Sequence, residues 1–77
     1  MSGVRKRSVT IRGHRTSFSL EPAFLEELQR IAAGRRIPLA ALVAEIDAAR
    51  GEDVNLSSAL RLHVLEDLKR AARRNTG

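Results

Sequence analysis

The chain has 77 residues, of which 43% are hydrophobic, but 11 of these are alanine and only Phe18 and Phe24 are aromatic. A monomer of this size buries only about 60% of its unfolded surface and is marginal unless something reinforces it. With no cysteine, disulfides and thiolate metal sites are excluded, which leaves association with a second copy as the available reinforcement. No apolar run approaches the ~20 residues of a membrane span, and residues 1–7 lack a signal peptide's apolar centre. The expectation is a soluble, cytoplasmic protein with no membrane partner.

Charge is more informative by position than in total. The formal net charge is +5. Residues 1–19 carry Arg5, Lys6, Arg7, Arg12 and Arg15 and no acid, whereas acids and bases balance over 20–77. A localised basic stretch is the electrostatic footprint of a polyanion partner; the bland alternative is a solvated tail.

Residues 15–20 alternate, with Thr16, Phe18 and Leu20 on one face and Arg15, Ser17 and Ser19 on the other. Period two marks a half-buried strand. Proline at 22 suits a helix start, and a helix is expected over about 22–33, with Phe24, Leu25, Leu28, Ile31 and Ala32 on one stripe and Gly34 at its end. A second helix over about 39–50 shows Leu39, Leu42, Val43, Ile46 and Ala49. A third over about 56–73, capped by Asn55 or Ser57, shows Leu56, Ala59, Leu60, Val64, Leu68 and Ala72, and the chain is expected to fray at 76–77.

A lone strand needs a partner for its backbone. Residues 8–12 also alternate, but Val9 and Ile11 share the parity of Ser17 and Ser19, so Gly13 reads as a bulge, a turn or the end of order. An intrachain hairpin through Gly13 and His14 is one solution. The favoured one pairs residues 15–20 with the same strand of a second chain, giving a two-stranded antiparallel ribbon and a shared dimer core of Thr16, Phe18, Leu20, Phe24, Leu28, Ile31, Leu42, Val43 and Ile46.

The strings Arg15-Thr16-Ser17-Phe18-Ser19-Leu20-Glu21-Pro22-Ala23-Phe24, Ile31-Ala32 and 39–46 resemble the ribbon-helix-helix (MetJ/Arc-type) DNA-binding superfamily. Residues 8–17, 43–47 and 55–61 are similar to a subgroup of short bacterial stand-alone domains with a third helix. The resemblance implies a mainly α fold with one short strand, β-α-α plus a C-terminal helix, as an intertwined homodimer. The implied division is a basic arm at 1–13, a ribbon-helix-helix core at 14–51 and a helical extension at 52–77.

It further implies a ribbon in the DNA major groove, with Arg15, Ser17 and Ser19 contacting bases and the start of the second helix meeting the phosphate backbone. The chemistry fits independently, since Arg bonds guanine bidentately and Ser bonds several bases. Phosphate contacts are expected from Arg5, Lys6, Arg7, Arg12, Arg35 and Arg36 and from the amides of Leu39 and Ala40. The connection departs from the family pattern of Gly, an apolar residue, then Ser or Thr as cap. Arg36, Ile37 and Pro38 stand there.

The implied function is sequence-specific double-stranded DNA binding as a transcriptional repressor or autoregulator. Two alternatives stand beside it: an antitoxin-type interaction module binding a protein through the third helix, and a non-specific chromatin-like binder. His14 and His63 read as turn and surface residues, and no metal, cofactor or catalytic residue is expected. Glu45 and Asp47 point to different faces, which does not suit paired-carboxylate catalysis, and either is a candidate ion-pair partner across a dimer.

Overall fold

Two strands, not one, precede the helices. The structure is a computed structural model describing residues 3–75. Its order is β1 (Arg5–Ile11), β2 (His14–Leu20), α1 (Pro22–Arg35), α2 (Leu39–Ala49) and α3 (Leu56–Asn75). The expected β-α-α order with a third helix is present; the fraying expected at 76–77 lies outside the described residues.

β1 pairs with β2 of the same chain, antiparallel, with Ile11 opposite His14, Val9 opposite Thr16, Arg7 opposite Phe18 and Arg5 opposite Leu20. This is the intrachain hairpin that the sequence also allowed, and its turn is Arg12-Gly13, one residue earlier than expected. Both turn residues have positive φ, 52° and 81°. Such a left-handed pair matches the right-handed twist of the flanking strands, and glycine takes it without a Cβ clash. No bulge is needed. Across a two-residue turn, odd-numbered residues face even-numbered ones, so Val9 and Ile11 share the face of Thr16 and Phe18.

Helix α1 runs past Gly34 to Arg35. Arg36 then turns left-handed (φ 59°, ψ 41°), its amide donating to the Ala33 carbonyl at 3.1 Å, while the Ile37 amide donates to the Ala32 carbonyl at 3.0 Å. That bond pattern closes a helix in the way glycine usually serves. Here an arginine adopts the conformation two residues after the glycine. Helix α3 is capped by Asn55, whose Oδ1 accepts the Ser58 amide at 2.8 Å.

One core joins all five elements. β1 lies against α2 and β2 against α3. The buried residues are Phe18, Leu20, Leu28, Ile31, Ala32, Leu42, Val43, Ile46, Leu56, Leu60 and Val64. Helix α3 therefore covers apolar surface of β2, α1 and α2 within one chain. Of the expected dimer core, Thr16 and Phe24 are half-buried and the other seven are buried in the single chain.

Ion pairs tie the helices together. The Arg30 guanidinium bonds Glu27 at 2.8 Å and Asp67 at 2.7 Å, so its pKa lies above the usual value, mainly through Asp67. Arg61 of α3 donates to Glu21 Oε1 at 2.9 Å and sits 5.8 Å from the Phe24 ring centroid, fixing α3 to the start of α1.

Candidate nucleic-acid interface

The hairpin sorts its side chains into two faces. On the outer face the facing pairs are Lys6 and Ser19, Ser8 and Ser17, Thr10 and Arg15, and all six residues are exposed. Arg15, Ser17 and Ser19 thus lie together as the sequence suggested. Lys6, Ser8 and Thr10 join them from β1. Ser8 and Thr10 were not among the expected site residues, because the parity of Val9 and Ile11 left the pairing of residues 8–12 open. The sequence signal was available: Arg12-Gly13 suits a two-residue turn, and such a turn reverses the parity relation.

Arg15 Nε donates to Ser8 Oγ at 3.2 Å, a diagonal contact between the strands. Among the described residues its two terminal guanidinium nitrogens have no hydrogen-bond partner and can meet an acceptor. The face carries no acid, and Arg12 is exposed at the turn. A polar, cationic, two-stranded surface of this kind can donate to base edges and phosphate oxygens.

The other expected phosphate contacts are placed differently from one another. Arg5 and Arg7 lie in register with the core side chains Leu20 and Phe18 rather than on the outer face. Arg5 is exposed at the open end of the hairpin. Arg7 is half-buried, and its Nε is buried without a hydrogen-bond partner among the described residues. Arg35 is held by Glu45 through two bonds of 3.1 and 2.8 Å, and Asp47 pairs with Arg50 at 2.7 Å. Both acids therefore pair inside the chain. Arg36 is exposed.

Pro38 stands at the N-cap of α2 and offers no side-chain cap. Its carbonyl accepts the Ala41 and Leu42 amides at 3.0 and 3.2 Å, so the Leu39 and Ala40 amides precede the first intrahelical bond. His14 is exposed beside the turn, and His63 is half-buried on α3. Among the described residues no cluster of three or more His, Cys, Asp or Glu is arranged to hold a metal. No described helix is long and apolar enough to cross a membrane.

The ribbon-helix-helix domain family matches residues 4–68. The chain belongs to the ribbon-helix-helix family. Its members are DNA-binding regulatory modules, and the matched span includes all of β1 and most of α3. The hairpin's first strand and the third helix are thus part of the family match and not additions to it. No curated protein and no solved structure matches the chain.

Proposed function

We propose that this ribbon-helix-helix protein binds double-stranded DNA sequence-specifically as a homodimer and acts as a transcriptional repressor or autoregulator. The outer face of the hairpin carries this reading: six exposed polar or basic side chains on a two-stranded ribbon, with no acid among them. The major groove is about 12 Å wide and admits a two-stranded ribbon. Arg15 reads guanine, a bidentate contact worth about 1–3 kcal/mol of discrimination. Lys6, Arg12 and Arg36, with the Leu39 and Ala40 amides, hold phosphates and set the register. Two copies related by a two-fold axis read an inverted repeat.

The test is selection of bound duplexes from a random pool at ~0.15 M salt. The expected result is a short inverted repeat. A pool with no motif, and binding that disappears as salt rises, would replace sequence-specific reading with phosphate binding alone.

A second reading, an antitoxin-type module that binds a protein through α3, is favoured by one observation. Leu62, Leu65 and Leu68 on α3 are 54%, 48% and 45% exposed. Loss of DNA selection together with retention of a protein partner that Leu65→Glu abolishes would favour it.

A further inference from the structure

We propose that a groove along α3, bounded by α2 at one end and α1 at the other, binds a small amphipathic carboxylate with an apolar tail. This site is independent of the DNA reading proposed above and uses none of the residues to which that reading assigns DNA contacts.

Two hollows make up the groove. The first, about 320 Å³, is apolar and is lined by Ile46, Ala49, Val54, Ala59 and Leu62. One wall is fixed, because the Arg50 guanidinium bonds Asp47 at 2.7 Å and the Val54 carbonyl at 2.8 Å. The second, about 400 Å³, lies between α1 and α3 and is lined by Ile31, Gly34, Arg35, Asp67 and Arg70, with Arg30 beside them. His63 lines both, so the two hollows meet at its ring.

Three observations point to an anion in the polar hollow. First, Arg30 and Arg35 are neutralised by Glu27, Asp67 and Glu45, whereas Arg70 has no hydrogen-bond or ion-pair partner among the described residues. A helical side chain leans toward the N-terminus of its helix, so Arg70 extends along the groove toward His63.

Second, His63 is half-buried, and its ring nitrogens have no partner among the described residues, yet they are not sealed from solvent. The ring therefore offers a donor to whatever occupies the groove.

Third, nothing within the chain requires glycine at 34. Arg36 makes the left-handed turn that ends α1, and a Cβ at Gly34 meets nothing within 4 Å. Glycine weakens a helix, and what its missing methyl leaves is room in the polar hollow that it lines.

A carboxylate suits these donors, since its two oxygens accept the paired nitrogens of Arg70 and a further bond from His63. Glu66 stands at the margin of the apolar hollow, so a single negative charge fits the groove better than a phosphate dianion. The hollow beyond His63 then takes the tail. From Ala59 to Arg70 the helix rises about 16 Å, long enough for a medium-chain acid to lie along it.

Titration of the full chain with decanoate, followed by amide NMR shifts and by the thermal midpoint, tests this. The expected result is saturable binding with shifts at residues 34, 46–54 and 59–63, and a midpoint that rises with decanoate concentration. Decanol, which keeps the tail, and acetate, which keeps the head, are expected to bind at least about 10-fold more weakly. Arg70→Ala is expected to weaken decanoate binding about 10-fold and leave decanol binding unchanged, a difference that a structural role for Arg70 would not produce. Gly34→Ala keeps the fold and is expected to weaken decanoate at least about 5-fold, because its methyl occupies the polar hollow.

Equal affinity for decanol and decanoate, or an affinity that neither substitution changes, would reduce the effect to unspecific apolar association and overturn the site. An unchanged spectrum would do the same. If decanoate shifts nothing while Leu62→Glu lowers the mass of the chain in solution, a second copy fills the groove and the proposal fails, with DNA reading untouched.

Discussion

The Ser57 hydroxyl accepts a hydrogen bond from the Ser19 amide at 3.0 Å, joining the first turn of α3 to β2. One oxygen thus satisfies an edge amide of the strand that carries Arg15 and fixes the hairpin against the helical body. Ser57→Ala is expected to cost about 1 kcal/mol, the usual contribution of such a bond. In a domain of this size the thermal midpoint then falls by about 4–8 °C. An unchanged midpoint in a circular-dichroism melt would show that the bond contributes nothing.

Helix α3 contributes Leu56, Leu60 and Val64 to the core, and Leu60 is fully buried. Leu60→Ala should destabilise the chain by about 2–5 kcal/mol. That is comparable with the whole stability of a small domain, so a measurable unfolded population is expected at 25 °C. Leu65→Ala, on the exposed side of the same helix, is expected to change stability by less than about 0.5 kcal/mol. Equal effects from the two in urea titrations would contradict the observed orientation of α3.

Gly34 and Arg36 occupy each other's customary backbone conformations. An added Cβ at Gly34 meets nothing within 4 Å, so Gly34→Ala is expected to stabilise the helix by about 0.5–1 kcal/mol. Arg36→Gly removes the left-handed strain of an L-residue, worth about 1 kcal/mol, and the thermal midpoint should rise. The two separate in DNA titrations. Arg36→Gly should reduce the magnitude of the salt slope by about 0.9, the value of one phosphate contact, whereas Gly34→Ala should leave it unchanged.

The Arg61 guanidinium holds the Glu21 carboxyl below its ordinary value, chiefly through their hydrogen bond. A carboxyl depressed in the folded state adds stability above its unfolded pKa of about 4.3, and that stability is lost as pH falls through the lower folded value. Wild type is therefore expected to melt above Glu21→Gln at pH 6. The difference should shrink as pH falls below about 4. A constant difference between the two at all pH values would assign the effect to packing instead of charge.

Much of this architecture was legible in the sequence. Apolar spacing alone identified Phe18, Leu20, Leu28, Ile31, Leu42, Val43 and Ile46, all of which are buried. Spacing misled in the third helix, where Leu56, Leu60, Val64, Leu68 and Ala72 were read as one stripe. Each step of four residues overshoots a helical turn by about 40°, so a strict i, i+4 series winds around the cylinder. By Leu68 it has left the core face, and that residue is 45% exposed.

For the outer strand face, Arg15, Ser17 and Ser19 were found from alternation within one strand, which needs no knowledge of a partner. Ser8 and Thr10 were missed because their facing depends on the turn between the strands. Gly34 misplaced the end of α1 because an arginine took the left-handed position that composition assigns to glycine.

The Arg12-Gly13 turn acts as a reading frame for β1. Its length, not its composition alone, decides which set of alternate residues faces outward. Loss of one residue between Ile11 and His14 would shift the pairing by one place, bringing Val9 and Ile11 to the solvent face and sending Ser8 and Thr10 toward the core. Point substitutions on β1 can therefore retune this surface by degrees. Loss of one turn residue would scramble it in a single step, so the length of that turn and the composition of β1's outer face must be inherited together.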